Sequence, residues 1–470
     1  MSILDLDAST LAGYIRQGTV TSLEATEAYI EHLKRINPSV NCLVEERFEL
    51  ARHEARQCDD ELASNQNIKG RLYGVPISMK EAFDVAGMRT TGGLRHRKNL
   101  VMDHDAAIVE LLRHEGAIIL GKSNTPTLCF CQETDNKLYG RTNNPWDLSR
   151  TVGGSSGGEA ALIAAGGAAL GIGSDIGGSI RFPSHFNGII GFKSGAYQVK
   201  DDGAYPPFPH PLQERMLGIG AIAKSVRDAR LVNDILALAQ PIKRNLSDFS
   251  ITLPIDQVKY EVSAQTMLLL KDLKLELEEA IQVVDEQPPM YEQSALLWQQ
   301  IMSIDGASNV VNAASGKRLL KPMRHWLQER IAGNSEWHRY LLWALVGART
   351  FKPSKQQMAK LNEQINLGNQ LIQEYLQHKL LILPVYHSPA LPHGQVYKEI
   401  FAISKSFLKY MPFVAYANTW GLPSLVIPIG EENGLPVSIQ IISSIGNEDA
   451  IFSLGEKIES RFRGWKRAIL

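Results

Sequence analysis

The chain has 470 residues, 49 basic against 50 acidic side chains and 44% hydrophobic content, an ordinary soluble globular composition that suits one large domain or two to three smaller ones. Near-neutral charge gives no basic field for nucleic acid or an anionic membrane. Cys42, Cys58, Cys129 and Cys131 are too few and too irregularly spaced for a disulfide framework, and one residue between Cys129 and Cys131 is not a zinc spacing, so they read as reduced thiols in a cytosol.

In chain order, residues 1–13 carry two acids, Asp5 and Asp7, and no basic residue. They lack the charged and apolar regions of a signal peptide, so a cytoplasmic location is expected. The spacing predicts an amphipathic helix over 21–34, capped by Thr21 with Glu24 three residues on and ended by Asn37-Pro38. From 71 to 124, short apolar strands alternate with helices: a strand over 74–79, a helix over 106–114 and a strand over 117–120. Residues 150–195 are dominated by Gly, Ser and Ala. Residues 240–375 are helix-like and more charged, with no chemical motif. Short apolar strands return at 380–383, 424–428 and 436–442. Two uncharged runs invite a membrane reading. The run 160–173 is too short, and 410–430 is interrupted by Pro412, Asn418, Pro423 and Pro428, so neither reads as a span.

This alternation predicts an α/β fold: a single large domain with a central β-sheet covered by helices. The expected parts are an N-terminal helical region (1–70), a core (71–235 and 380–465) and a mainly helical insertion (240–375).

Gly116-Ala-Ile-Ile-Leu-Gly121-Lys122-Ser123 fits the P-loop expression, but its four central residues form a buried strand. Nothing is left to wrap phosphates, so no nucleotide is expected there.

The informative segments are 153–158, Gly-Gly-Ser-Ser-Gly-Gly, and 173–183, Gly-Ser-Asp-Ile-Gly-Gly-Ser-Ile-Arg-Phe-Pro. Acyl transfer needs a nucleophile, a base and backbone donors for an oxyanion. The glycines let consecutive amides point at one spot, which places Ser179 beside its own oxyanion hole. A G-x-S-x-G elbow around Ser155 is a weak match, because residues 148–152 make a poor buried strand. His185 has no acidic partner nearby and reads as structural. Lys80 ends the apolar strand 74–79, at the mouth of a sheet, and would serve as a base if burial kept it neutral.

Residues 74–80, 153–158 and 171–191 together resemble the amidase signature family, and within it the fatty acid amide hydrolase-like branch. Ser155 and Ser179 stand at the family's spacing. Weaker matches at 136–145, 421–423 and 434–440 extend the resemblance, which covers residues 5–235 and 380–465. It implies a mixed sheet with helices on both faces and an amidase that works through an acyl-enzyme without metal or organic cofactor. Carried over by position, Ser179 is the nucleophile, Ser155 the bridge after a cis Gly154–Ser155 peptide, and Lys80 the base. Ile176, Gly177, Gly178 and Ser179 supply the oxyanion amides, Ser156 helps hold the lysine, and Asp175 and Arg181 brace the loop. Departures at 193–195 and 220–224 weaken any subfamily assignment.

The expected partner is a small-molecule amide, with no nucleic acid and no stable membrane span; a homodimer is compatible with the sequence. The insertion shapes the substrate channel in such proteins. Its most apolar part, 337–351, is open between an acyl pocket, a membrane-touching cap and buried core. Two rival readings are an amidotransferase-type glutaminase subunit, which usually has Gln where this chain has Phe182, and a non-hydrolytic binding protein.

Overall fold

A computed structural model describes residues 2–64, 70–258, 261–316, 320–400 and 406–470. Eleven strands build one sheet: β1 (Leu43–Glu46), β2 (Pro76–Lys80), β3 (Ile118–Ser123), β4 (Leu170–Asp175), β5 (Ile190–Lys193), β6 (Gly218–Ala223), β7 (Ser250–Thr252), β8 (Val283–Val284), β9 (Lys379–Pro384), β10 (Ser424–Glu432) and β11 (Leu435–Ile442). Their order is β1-β3-β2-β4-β6-β5-β10-β11-β9-β7-β8. The pairs β3·β2 and β2·β4 are parallel, as are β9·β7 and β7·β8, and the rest are antiparallel. The sheet is therefore mixed, as the resemblance implies.

Every residue of β2, β3, β6 and β11 is buried. Successive side chains of a strand point to opposite faces, so burial throughout means that helices cover both faces. The core runs through Ile77, Met79, Ile119, Leu170, Ile172, Ile222 and Ile439.

The expected strands over 74–79 and 117–120 and the helix over 106–114 are present, shifted by a few residues at most. The segment that fits the P-loop expression runs, as expected, into the buried strand β3, and Lys122 is committed to Thr90 Oγ1 at 2.8 Å. Helix α1 (Ser22–Val40) starts as predicted, with the reciprocal Thr21–Glu24 capping box. It does not stop at Asn37-Pro38. Pro38 lies in the last turn, where its missing N–H costs one hydrogen bond, and the helix ends at Asn41 in the left-handed region. The segment 240–375 is mainly helical, yet it also contributes β7 and β8 to one edge of the sheet. Among the described residues, no helix is long and apolar enough to cross a membrane.

Candidate active site

The site forms where β2 and β4 end side by side. Lys80, the last residue of β2, is fully buried. Its Nζ lies 2.8 Å from Ser155 Oγ, 3.0 Å from Ser174 Oγ and 3.4 Å from the Ser174 carbonyl. Burial is the largest influence on this amine and pushes its pKa below the ordinary value of 10.5, against the opposing pull of Cys129, Asp175 and Glu159.

Ser155 follows a cis Gly154–Ser155 peptide and leads into helix α2 (Gly157–Ala164), all of which is buried. A side chain at Gly154 would meet the Cys131 carbonyl at 2.6 Å, so only glycine allows this close approach. Ser155, Ser174 and Ser179 line one small cleft of about 360 Å³, including its mouth. The Ser156 amide donates to the Ser179 carbonyl at 3.0 Å, tying the two serine loops together.

Ser156 reaches the lysine indirectly. Its hydroxyl bonds the backbone of Ser174, at 3.3 Å to the carbonyl and 3.4 Å from the amide. Besides Ser155 Oγ, it is Ser174 Oγ and not Ser156 Oγ that lies beside Nζ, a role the sequence did not suggest for it. A hydroxyl at the end of an apolar strand was the signal available.

The turn after β4 leads into helix α3 (Arg181–Asn187) and is organised by Asp175. One carboxylate oxygen accepts from the Gly178 amide at 2.8 Å, and the other from the Ile180 amide at 3.1 Å and Arg181 Nε at 3.0 Å. The Gly178 amide, expected among the oxyanion donors, is thus committed to Asp175. Gly178 instead supplies the turn: its φ is +90°, and a side chain there would meet the Phe182 ring at 2.5 Å. Arg181 also donates to the Val414 carbonyl and to Gln440 Oε1, each at 2.9 Å, and to Asn418 Oδ1. Burial opposes ionisation of Asp175, but the Arg181 guanidinium and the hydrogen bonds outweigh it and hold the carboxyl well below the usual carboxylate range. Both side chains are wholly inaccessible. Replacing Arg181 by alanine would strand a buried carboxylate. The expected loss is about 3–5 kcal/mol, read as a fall in the denaturation midpoint.

His185 is structural. Its Nδ1 accepts from the Ser438 amide and its Nε2 faces the Ser388 carbonyl, each at 3.0 Å, and burial pushes its pKa down to about 4.

Ser179 also opens onto a larger cleft of about 950 Å³, including its mouth. Its walls are mostly apolar, among them Phe130, Phe208, Trp298, Met302 and Phe351, and no charged residue lines it among the described residues. Helix α4 (Tyr291–Met302) and helix α5 (Arg339–Thr350) of the segment 240–375 supply one side. The apolar stretch 337–351 divides its residues. Trp337, Leu341, Leu342 and Leu345 pack in a buried cluster with Leu94 and Leu128, whereas Trp343, Ala344, Gly347 and Ala348 face the cleft.

The site thus brings a buried lysine and three serines together, and similarity to known proteins shows the class of protein that carries it. The family profile described as Amidase matches residues 24–452, so the chain belongs to the amidase family, the amidase signature enzymes. It is accordingly an amidohydrolase. It is 31% identical to fatty-acid amide hydrolase 2-B of Danio rerio over 98% of this chain and 90% of that protein. It is 30% identical to fatty-acid amide hydrolase 2 of Homo sapiens with the same coverage. A glutamyl-tRNA(Gln) amidotransferase subunit of Carboxydothermus hydrogenoformans matches at 26% over 98% of both chains. The same fold is seen in a solved amidase (TM-score 0.80, 24% identity, 97% of this chain and 100% of that one). It is seen again in fatty acid amide hydrolase (TM-score 0.79, 19% identity, 97% and 85%).

Proposed function

We propose that the chain hydrolyses carboxamides of apolar acids, with Ser179 as nucleophile, Ser155 as proton relay and Lys80 as base. The observation that carries this reading is the fully buried Lys80 amine 2.8 Å from Ser155 Oγ, with Ser155 and Ser179 on one small cleft. Burial favours the neutral amine, which is the form a base needs. Lys80 takes a proton from Ser155, which takes one from Ser179 as Ser179 Oγ attacks the amide carbonyl. The amides of Ile176, Gly177 and Ser179 receive the oxyanion, and Gly178 and Asp175 hold the turn. The relay then returns the proton to the leaving amine, and water hydrolyses the acyl-enzyme.

The aromatic cleft, uncharged among its described walls, supports a hydrophobic acyl group, in keeping with the fatty-acid amides named for the 31% identical relative. Glutamine would bring an α-ammonium and an α-carboxylate against walls that offer no counter-charge among the described residues, which disfavours the amidotransferase reading. The free state of the four cysteines supports a reducing compartment.

A panel of acyl amides sharing one amine tests the substrate class. Each methylene that enters the cleft is expected to raise kcat/KM by about fourfold, from about 0.8 kcal/mol per buried CH₂, until the cleft is full. Turnover of glutamine, dependent on a partner protein, with none of the apolar amides, would overturn the proposal.

A further inference from the structure

The loop that would bind the oxyanion is held from behind by two side chains outside the three motif segments. Trp298 Nε1 donates to the Ile176 carbonyl at 2.8 Å, and Gln132 Nε2 donates to the Gly177 carbonyl at 3.2 Å. A peptide is planar, so its carbonyl and the following amide point in opposite directions. Pinning the Ile176 carbonyl therefore aims the Gly177 N–H, and pinning the Gly177 carbonyl aims the Gly178 N–H that Asp175 receives. Glycine gives this loop little conformational preference of its own, so it needs an external clamp.

Trp298 does this from a particular place. It lies on α4, in the segment 240–375, and its indole lies against Gly177 so closely that a side chain there would meet the ring at 2.6 Å. The same indole is a wall of the apolar cleft onto which Ser179 opens. One side chain thus touches both the space for the acyl group and the peptide that presents an oxyanion donor.

We infer that Trp298 is a positioning residue that couples occupation of the apolar cleft to alignment of the Gly177 amide. This deepens the proposed amide hydrolysis and rests on it. An acyl chain packed on the indole presses it against Gly177 and keeps its N–H on the Ile176 carbonyl. Binding energy from the non-reacting part of the substrate is thereby spent at the reacting centre, where it raises kcat as well as lowering KM. A short acyl group leaves the indole uncontacted and gains nothing from it.

The test uses the full-length enzyme and a series of straight-chain acyl amides with one common amine. In the wild type, kcat itself is expected to rise with acyl length. A flat kcat across the series, with all length dependence in KM, would overturn the inference using the wild type alone. Trp298→Phe keeps an aromatic wall and removes the N–H. Direct loss of one oxyanion donor costs about 10²–10³ in kcat, so loss of its support is expected to cost about tenfold or more on the long-chain amide. KM should stay within about twofold and the melting temperature near that of wild type, and the rise of kcat with length should flatten. A Trp298→Phe enzyme with wild-type kcat, or one changed only in KM, would overturn the inference and leave the hydrolytic reading intact. Absence of Ser179-dependent turnover of any amide in the wild type would overturn both.

Discussion

Ser179→Ala is expected to lower kcat on any amide substrate by about 10⁴–10⁶-fold, the range seen when a hydrolase loses its nucleophile, while the protein melts within a degree or two of wild type. The substitution removes one oxygen from a residue that is only 5% exposed and lines the small cleft it shares with Ser155, and it adds no volume. The bonds that shape the loop are retained. The Ser156 amide still meets the carbonyl of residue 179, and Asp175 still holds the amides of Gly178 and Ile180. Chemistry and fold are therefore separable at this position. Steady-state hydrolysis and a thermal melt measure the two. Turnover at more than about one per cent of wild type would place the nucleophile elsewhere.

Lys80→Met is expected to have an effect of similar size, because base and nucleophile act as a unit whose losses do not add. Methionine matches the length and burial of the lysine stem but carries no amine. The variant should fold, since a buried amine that must be desolvated is exchanged for an apolar side chain of like volume. Lys80→Arg should not restore activity, because guanidinium stays protonated and cannot accept a proton. The pH dependence follows in sign. The competent form is the neutral amine, so kcat/KM falls as pH drops below the pKa of Lys80 and rises above it. Burial lowers that pKa from 10.5, so the ascending limb lies on the acid side of an ordinary lysine's. A limb that descended with rising pH over this range would contradict a lysine base.

Local signals carried much of the fold. The largely apolar character of 74–79 and 117–120 marked β2 and β3, because strands buried on both faces show no regular polar alternation. Thr21 and Glu24 marked the start of α1. Its end was misplaced because a proline disrupts a helix in proportion to the bonds it removes, and Pro38 removes one near the terminus. β7 and β8 have three and two residues, too short for any periodicity to show.

The site divides along the same line. Ser155, Ser179 and Lys80 were legible because they sit in motif segments, and Asp175 and Arg181 because they flank the nucleophile. Ser174 sits in such a segment too, but nothing in its spacing marked it as a partner of Lys80, and Gln132 and Trp298 lie outside the three motif segments. Gln132 and Trp298 act through backbone carbonyls 45 and 122 positions away in sequence, and such partners are set by tertiary packing alone. Gly178 shows the reverse case. The glycine pattern suggested an oxyanion donor, whereas the structure gives its amide to Asp175 and leaves it the positive φ that the turn requires.

Covalent trapping tests the central claim most directly. The wild-type protein would be treated with a fluorophosphonate, digested and mapped by mass spectrometry, with Ser179→Ala and Lys80→Met in parallel. One adduct is expected, on Ser179, with Ser155 unmodified, no adduct in Ser179→Ala and greatly slowed labelling in Lys80→Met. An adduct on Ser155, or labelling that persists in Ser179→Ala, would contradict the assignment of Ser179 as nucleophile.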